Sequence, residues 1–201
     1  MRIYNSESFK RTGKTMKLWT IPNILTLLRI GLIPAFIVSF YFEIDRTQYI
    51  TAGIFLLASI TDYLDGFLAR YLKQTSPFGE FLDPVADKLI VATALVLLVF
   101  EYPKIWMVIP GIVIISREIV ISALREWMAE LGKRTKVKVS MIGKIKTTVQ
   151  MIAILVMLSQ PVGYTHFVIL GIVLLYIAVI LTLWSMLIYM LAAWRTIREV
   201  D

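Results

Sequence analysis

The chain has 201 residues, of which 58% are hydrophobic and only 17% are charged, a composition that excludes a disordered chain and is more apolar than that of ordinary soluble domains. It contains no cysteine and a single histidine, which excludes a disulfide scaffold, a cysteine-ligated metal site and a multi-histidine metal site. In so hydrophobic a chain, the formal net charge of +7 indicates contact with anionic membrane lipid and no nucleic-acid partner.

Six apolar runs follow a polar and basic segment at residues 1–20. They are residues 24–42, 50–69, 84–100, 105–124, 145–160 and 167–194. Most approach the ~20 residues that an α-helix needs to cross a bilayer, and they are continuously apolar rather than alternating. The third run is short unless the polar stretch before it is also helical, and the fifth begins directly from a basic stretch. The sequence therefore predicts an all-α integral membrane protein with six transmembrane helices, its membrane domain covering residues 21–201.

Lysine and arginine are distributed unevenly between the two sides of this arrangement. Seventeen of them lie in the N-terminal segment, in 70–88, in 125–146 and in the C-terminal tail, whereas the other connections carry two. Because connections rich in Lys and Arg stay in the cytoplasm, both termini and both internal basic stretches are expected there. An even number of helices agrees with this orientation.

Two arginines lie inside apolar runs, where a charge needs a reason. Arg29, in the first run, either reaches the interface with its long side chain or pairs with a neighbouring helix. Arg117, in the fourth run, lies roughly 12 Å from the cytoplasmic end of its helix. This distance is long for a side chain to extend to the interface, so a functional role for Arg117 is favoured.

Four aspartates mark the junction of the second and third runs. Asp62 and Asp65 are three residues apart and Asp83 and Asp87 four apart, so each pair shares one helix face. A short cytoplasmic turn joins these antiparallel helices, so all four carboxylates should converge with no protein cation among them. Four such carboxylates would repel one another, and hard divalent cations with oxygen ligands, Mg²⁺, Mn²⁺ or Ca²⁺, are the simplest remedy. The alternative is a set of structural or proton-relay carboxylates in an ion-coupled transporter, although no internal repeat is visible.

Small residues surround the aspartates. Gly66 and Gly79 are costly in helices unless a ligand or backbone must approach closely, and Ala69 lies one turn after Asp65. Arg70 has the planar fork that binds a phosphate with two parallel hydrogen bonds.

The pattern D-x2-D-G-x2-A-R-x8-G-x3-D-x3-D, which starts at Asp62 and ends at Asp87, resembles the signature of the CDP-alcohol phosphatidyltransferases at all eight positions. Weaker similarities at 21–34, 116–126 and 142–148 favour the members that use glycerol 3-phosphate. The resemblance implies a bacterial cytoplasmic (inner) membrane enzyme with six transmembrane helices, a homodimer whose active site faces the cytoplasm. It further implies two divalent cations, Mg²⁺ or Mn²⁺, held by all four aspartates, with Asp87 also the general base. The CDP-lipid site would comprise Asn23, Thr26, Gly66, Ala69, Arg70 and Gly79.

The resemblance thus predicts a metal-dependent transfer of a phosphatidyl group from CDP-diacylglycerol to sn-glycerol 3-phosphate, with CMP released. Basic residues on the cytoplasmic halves of the helices suit the acceptor's phosphate dianion. They are Arg117, Arg125, Lys144 and Lys146. A different acceptor, such as serine, an inositol phosphate or phosphatidylglycerol, remains the alternative within the family.

Overall fold

The computed structural model describes residues 20–42, 46–71, 76–130, 141–160 and 165–198, and this part of the chain forms six α-helices. They are α1 (Ile21–Tyr41), α2 (Thr47–Tyr71), α3 (Pro77–Glu101), α4 (Ile105–Glu130), α5 (Met141–Leu158) and α6 (Thr165–Arg198). Each predicted apolar run coincides with one helix. The N-terminal segment predicted to be cytoplasmic lies outside the described residues, except for its last residue.

Capping residues explain where α1 and α3 begin. Thr20 precedes α1 and its side chain accepts a hydrogen bond from the Asn23 amide at 3.4 Å. Ser76 precedes α3 and its Oγ accepts a bond from the Gly79 amide at 3.0 Å, with Pro77 at the first helical position. The polar stretch before the third apolar run is therefore helical, and α3 reaches 25 residues, a length that can cross a bilayer.

Among the described residues, three helices are both long and apolar enough to cross a membrane: Ile21–Tyr41, Ile105–Glu130 and, within α6, His166–Leu191. In α2 and α3 the aspartates interrupt the apolar stretch, and in α5 the apolar part is the shorter Ile145–Leu158. The prediction of an all-α membrane protein is confirmed. Membrane crossing by the other three helices and the cytoplasmic location of both termini stay predictions.

The helices pack so that α1 lies against both α2 and α3, while α6 packs against α4 and α5. The helix α5 also contacts α2 and α3, and α4 contacts α3. The buried core contains large apolar side chains from all six helices, among them Phe36, Phe55, Leu95, Met107, Ile154 and Leu175. Other large apolar side chains face outward, as Ile180 and Leu191 do with 65% and 62% exposure. Such surfaces suit lipid rather than water.

Candidate active site

The four signature aspartates lie near the end of α2 and the start of α3, on the side of those helices that faces α1. Arg29 of α1 is inserted among them, with only 1% of its side chain exposed. Its Nη1 donates to Asp62 Oδ1 at 2.9 Å and also to Asp87, and its Nη2 donates to Asp65. Asp65 is 3% exposed, whereas the side chains of Asp62 and Asp87 are 45% and 44% exposed. One guanidinium thus binds three carboxylates that come from two helices.

The expectation that no protein cation lies among the aspartates was wrong. Convergence of the carboxylates was expected correctly, but part of their mutual repulsion is offset by the guanidinium of Arg29. Of the two alternatives for this arginine, the structure shows pairing with neighbouring helices rather than a reach to the interface.

Asn23, Thr26 and Arg29 form a polar stripe on α1, spaced three residues apart and therefore on one face of the helix. Thr26 is fully buried, and its Oγ1 donates to Asp83 Oδ1 at 2.7 Å. The side-chain Nδ2 of Asn23 donates to Ser76 Oγ at 2.9 Å. This stripe connects α1 to the cap of α3 and to the aspartates of both α2 and α3.

Gly79 of α3 lies against the Asn23 side chain of α1. A Cβ added at Gly79 would overlap Asn23 Oδ1, and Ser76 Oγ would be 3.3 Å away. Close packing of α1 thus accounts for this glycine, in addition to the role predicted in the CDP-lipid site. Gly66, Ala69 and Arg70 belong to α2, but the contacts of these three residues lie outside the described part of the structure.

The donor set around Arg29 fits a hard divalent cation, because it consists of carboxylate oxygens and one hydroxyl. Within the residues that the structure describes, however, no three carboxylates or histidines are arranged so as to hold a metal ion. The physical reason is visible in the contacts: Asp62, Asp65 and Asp87 converge on the guanidinium of Arg29. The types of residue therefore suit a divalent metal ion, but in this structure the carboxylates are arranged around a guanidinium.

A second polar cluster lies between α4, α5 and α6, and we call Arg117, Glu118, Lys146 and Ser185 the α4–α6 cluster. The Arg117 side chain, 7% exposed, donates to Glu118 Oε1 at 2.8 Å and to Ser185 Oγ at 3.0 Å. Lys146 Nζ donates to the same Glu118 oxygen at 3.2 Å, and its side chain is 4% exposed. Two cations share one carboxylate, so the cluster keeps one net positive charge.

The predicted acceptor residues therefore fall into three groups. Arg117 and Lys146 come together through Glu118. Arg125 is exposed and donates a hydrogen bond to Tyr189 Oη at 3.1 Å. Its Cζ also lies over the Tyr189 ring, 5.2 Å from the ring centroid. The side chain of Lys144 lies outside the described residues.

Glu118 and the identity of the Arg29 partners, the signature aspartates, are features of these clusters that sequence reasoning missed. A signal existed for both. Glu118 is a carboxylate next to an arginine in an apolar helix, a position too costly without a partner. Arg29 continues the three-residue spacing of Asn23 and Thr26, which places it on the face that meets the aspartates.

Comparisons with known proteins agree with the motif. Residues 19–184 match the model of the family described as CDP-alcohol phosphatidyltransferase. A CDP-diacylglycerol–glycerol-3-phosphate 3-phosphatidyltransferase of Haemophilus influenzae is 54% identical over 175 residues, 87% of this chain and 94% of the relative. Proteins with the same name from Pseudomonas fluorescens and Pectobacterium atrosepticum are 53% and 50% identical, over 87% and 90% of this chain and 90% and 98% of the relatives.

Proposed function

The chain belongs to the CDP-alcohol phosphatidyltransferase family, and from that premise we propose that it transfers the phosphatidyl group of CDP-diacylglycerol to sn-glycerol 3-phosphate. The observation that carries the proposal is the convergence of Asp62, Asp65 and Asp87 in a chain half identical to relatives named for this reaction. Family membership also leaves the transporter alternative without support.

In the proposed reaction the primary hydroxyl of glycerol 3-phosphate attacks the phosphorus that carries the diacylglycerol. A new P–O bond forms, the bond from that phosphorus to the oxygen bridging to CMP breaks, and CMP leaves with the electron pair. The hydroxyl proton goes to Asp87, which is 44% exposed and so can be reached by a water-soluble acceptor. The products are phosphatidylglycerophosphate and CMP.

Two divalent cations, Mg²⁺ or Mn²⁺, belong to the proposal. When bound, they would neutralise the pyrophosphate and the charge that develops on departing CMP. Asp62, Asp65, Asp83 and Asp87 would hold them. Support comes from the oxygen-only donor set and from the exposure of Asp62 and Asp87, which leaves a route for ions from water.

The donor and acceptor sites are assigned to two separate groups of residues. Gly66, Ala69, Arg70 and Gly79 would shape the CDP-lipid site, and Asn23 and Thr26 would support it from α1, where they already hold Ser76 and Asp83. Arg117 and Lys146 of the α4–α6 cluster would bind the acceptor's phosphate, because the net positive charge lies in a buried, weakly screened place where a charge-assisted hydrogen bond is strong. Arg125 and Lys144 would extend this basic surface.

The proposed location and orientation in the membrane are inferred from the distribution of Lys and Arg. With 17 Lys and Arg in the connections of one side and two in those of the other, the aspartates would face the cytoplasm of a bacterial inner membrane. Anionic lipid would contact the juxtamembrane basic residues. Resemblance to the family implies a homodimer.

The test is an assay of CMP release by the purified full-length protein in lipid nanodiscs. We expect CMP release with CDP-diacylglycerol, Mg²⁺ or Mn²⁺ and glycerol 3-phosphate, and none after chelation of the metal. Serine, an inositol phosphate and phosphatidylglycerol should each be much poorer acceptors. Faster release with any of these three would replace the acceptor, and full activity in the presence of chelator would refute the metal requirement.

A further inference from the structure

The observation that carries a further inference is the position of Arg29. Its guanidinium is almost fully buried and reaches three carboxylates on two helices, so it connects α1 to both α2 and α3. An arginine stays protonated when buried, so it requires anions around it. Aspartates that lie close together require a cation in the same way, because neighbouring carboxylates cannot all stay ionised without one.

The same carboxylates are those that the proposed function assigns to divalent cations. A carboxylate oxygen that accepts a bond from the guanidinium is less available to a metal ion. A divalent ion bound among these aspartates would also be repelled by the positive charge of Arg29, which is buried and therefore poorly screened by water. Guanidinium and metal therefore compete for one set of oxygens.

We propose that Arg29 is a tethered counter-ion of the aspartates, a positioning residue that holds them together in the metal-free protein and that gives up carboxylates when divalent cations bind. The proposal rests on the metal site of the proposed function. It predicts a compromise: the protein is stable and correctly packed without metal, at the cost of weaker metal affinity than the four carboxylates alone would have.

The test compares Mn²⁺ binding and thermal unfolding in three full-length variants, Arg29→Gln, Arg29→Lys and Lys104→Gln, without lipid substrate. Mn²⁺ binding is followed by electron paramagnetic resonance, and unfolding is measured with and without Mn²⁺. The Lys104→Gln variant is the matched control, since it also removes one positive charge, but from an exposed turn that holds no aspartate.

We expect Arg29→Gln to bind Mn²⁺ at least ten times more tightly than the wild type, equivalent to ~1.4 kcal/mol. Its midpoint of unfolding without metal should fall, and added Mn²⁺ should raise that midpoint by more than it does in the wild type. Arg29→Lys keeps the charge but not the fork, so it should bind Mn²⁺ about threefold more tightly than the wild type. Lys104→Gln should match the wild type in both measurements.

Unchanged or weaker Mn²⁺ binding in Arg29→Gln would overturn the proposal, because Arg29 would then not compete with the metal. If Arg29→Gln fails to fold, Arg29→Lys decides, and affinity no tighter than that of the wild type overturns the proposal. If neither the wild type nor any variant binds Mn²⁺, the metal site of the proposed function falls together with this proposal. Mn²⁺ binding that Arg29 does not influence removes this proposal alone.

Discussion

Removing the Arg117 side chain should damage use of the acceptor while sparing the donor. In the structure the two Nη atoms of Arg117 bind Glu118 at 2.8 Å and Ser185 at 3.0 Å. An acceptor phosphate would therefore replace or share the neutral bond to Ser185. A charge-assisted hydrogen bond contributes ~1.5–3 kcal/mol against ~0.5–1.5 kcal/mol for an ordinary bond.

The lower end of that range sets the expected size of the effect. A loss of ~1.4 kcal/mol is a factor of ten, so Arg117→Ala should raise the Michaelis constant for glycerol 3-phosphate at least tenfold. The constant for CDP-diacylglycerol should stay within a few-fold of its original value. Arg117→Ala should also lower the unfolding midpoint, because Glu118 loses its partner at 2.8 Å and keeps Lys146 at 3.2 Å.

The assay is CMP release measured while one substrate is varied at saturating concentration of the other. Ser185→Ala is the matched control: it removes the neutral partner of Arg117, keeps the guanidinium, and should change the acceptor's constant by less than threefold. If Arg117→Ala raises both constants equally, or if the two variants behave alike, Arg117 is a structural charge and the phosphate binds elsewhere.

Three further predictions concern the aspartates and their surroundings. Asp87→Asn should abolish CMP release while CDP-lipid binding persists, whereas Asp62→Asn should lose activity that excess metal partly restores; equal loss of metal binding in both would make Asp87 chiefly a ligand. Arg70→Lys should raise the Michaelis constant for the CDP-lipid, because a point charge replaces a planar fork, and a change confined to the acceptor's constant would contradict this. Gly79→Ala should destabilise the protein by ~1–3 kcal/mol through overpacking, measured by unfolding in detergent. Gly31→Ala, where no atom lies within 4 Å of the added Cβ, is its control and should be neutral or stabilising.

The aspartate signature could be assigned from the sequence because it depends on local spacing. Asp62 and Asp65 share a face at three residues and Asp83 and Asp87 at four, whatever the remaining helices do. Hydropathy alone did not decide whether α3 begins before residue 84, because the first turns of that helix are too polar to be recognised as part of an apolar run. The structure resolves it through the Ser76 cap, a local feature that the sequence also contains.

What the sequence by itself determined about this protein is the set of elements: six helices, an apolar surface for lipid, and an acidic pair at each of two adjoining helix ends. These follow from periodicity, length and spacing, which act within one helix or one turn. Which charges neutralise one another was decided only by tertiary packing. Arg29 is 33 residues from Asp62 and 58 from Asp87, and Lys146 is 28 from Glu118. Partners so far apart along the chain meet only because α1 packs on α2 and α3, and because α4 and α5 both pack against α6. Packing selects these contacts because a buried charge is tolerated only where folding brings it an opposite charge.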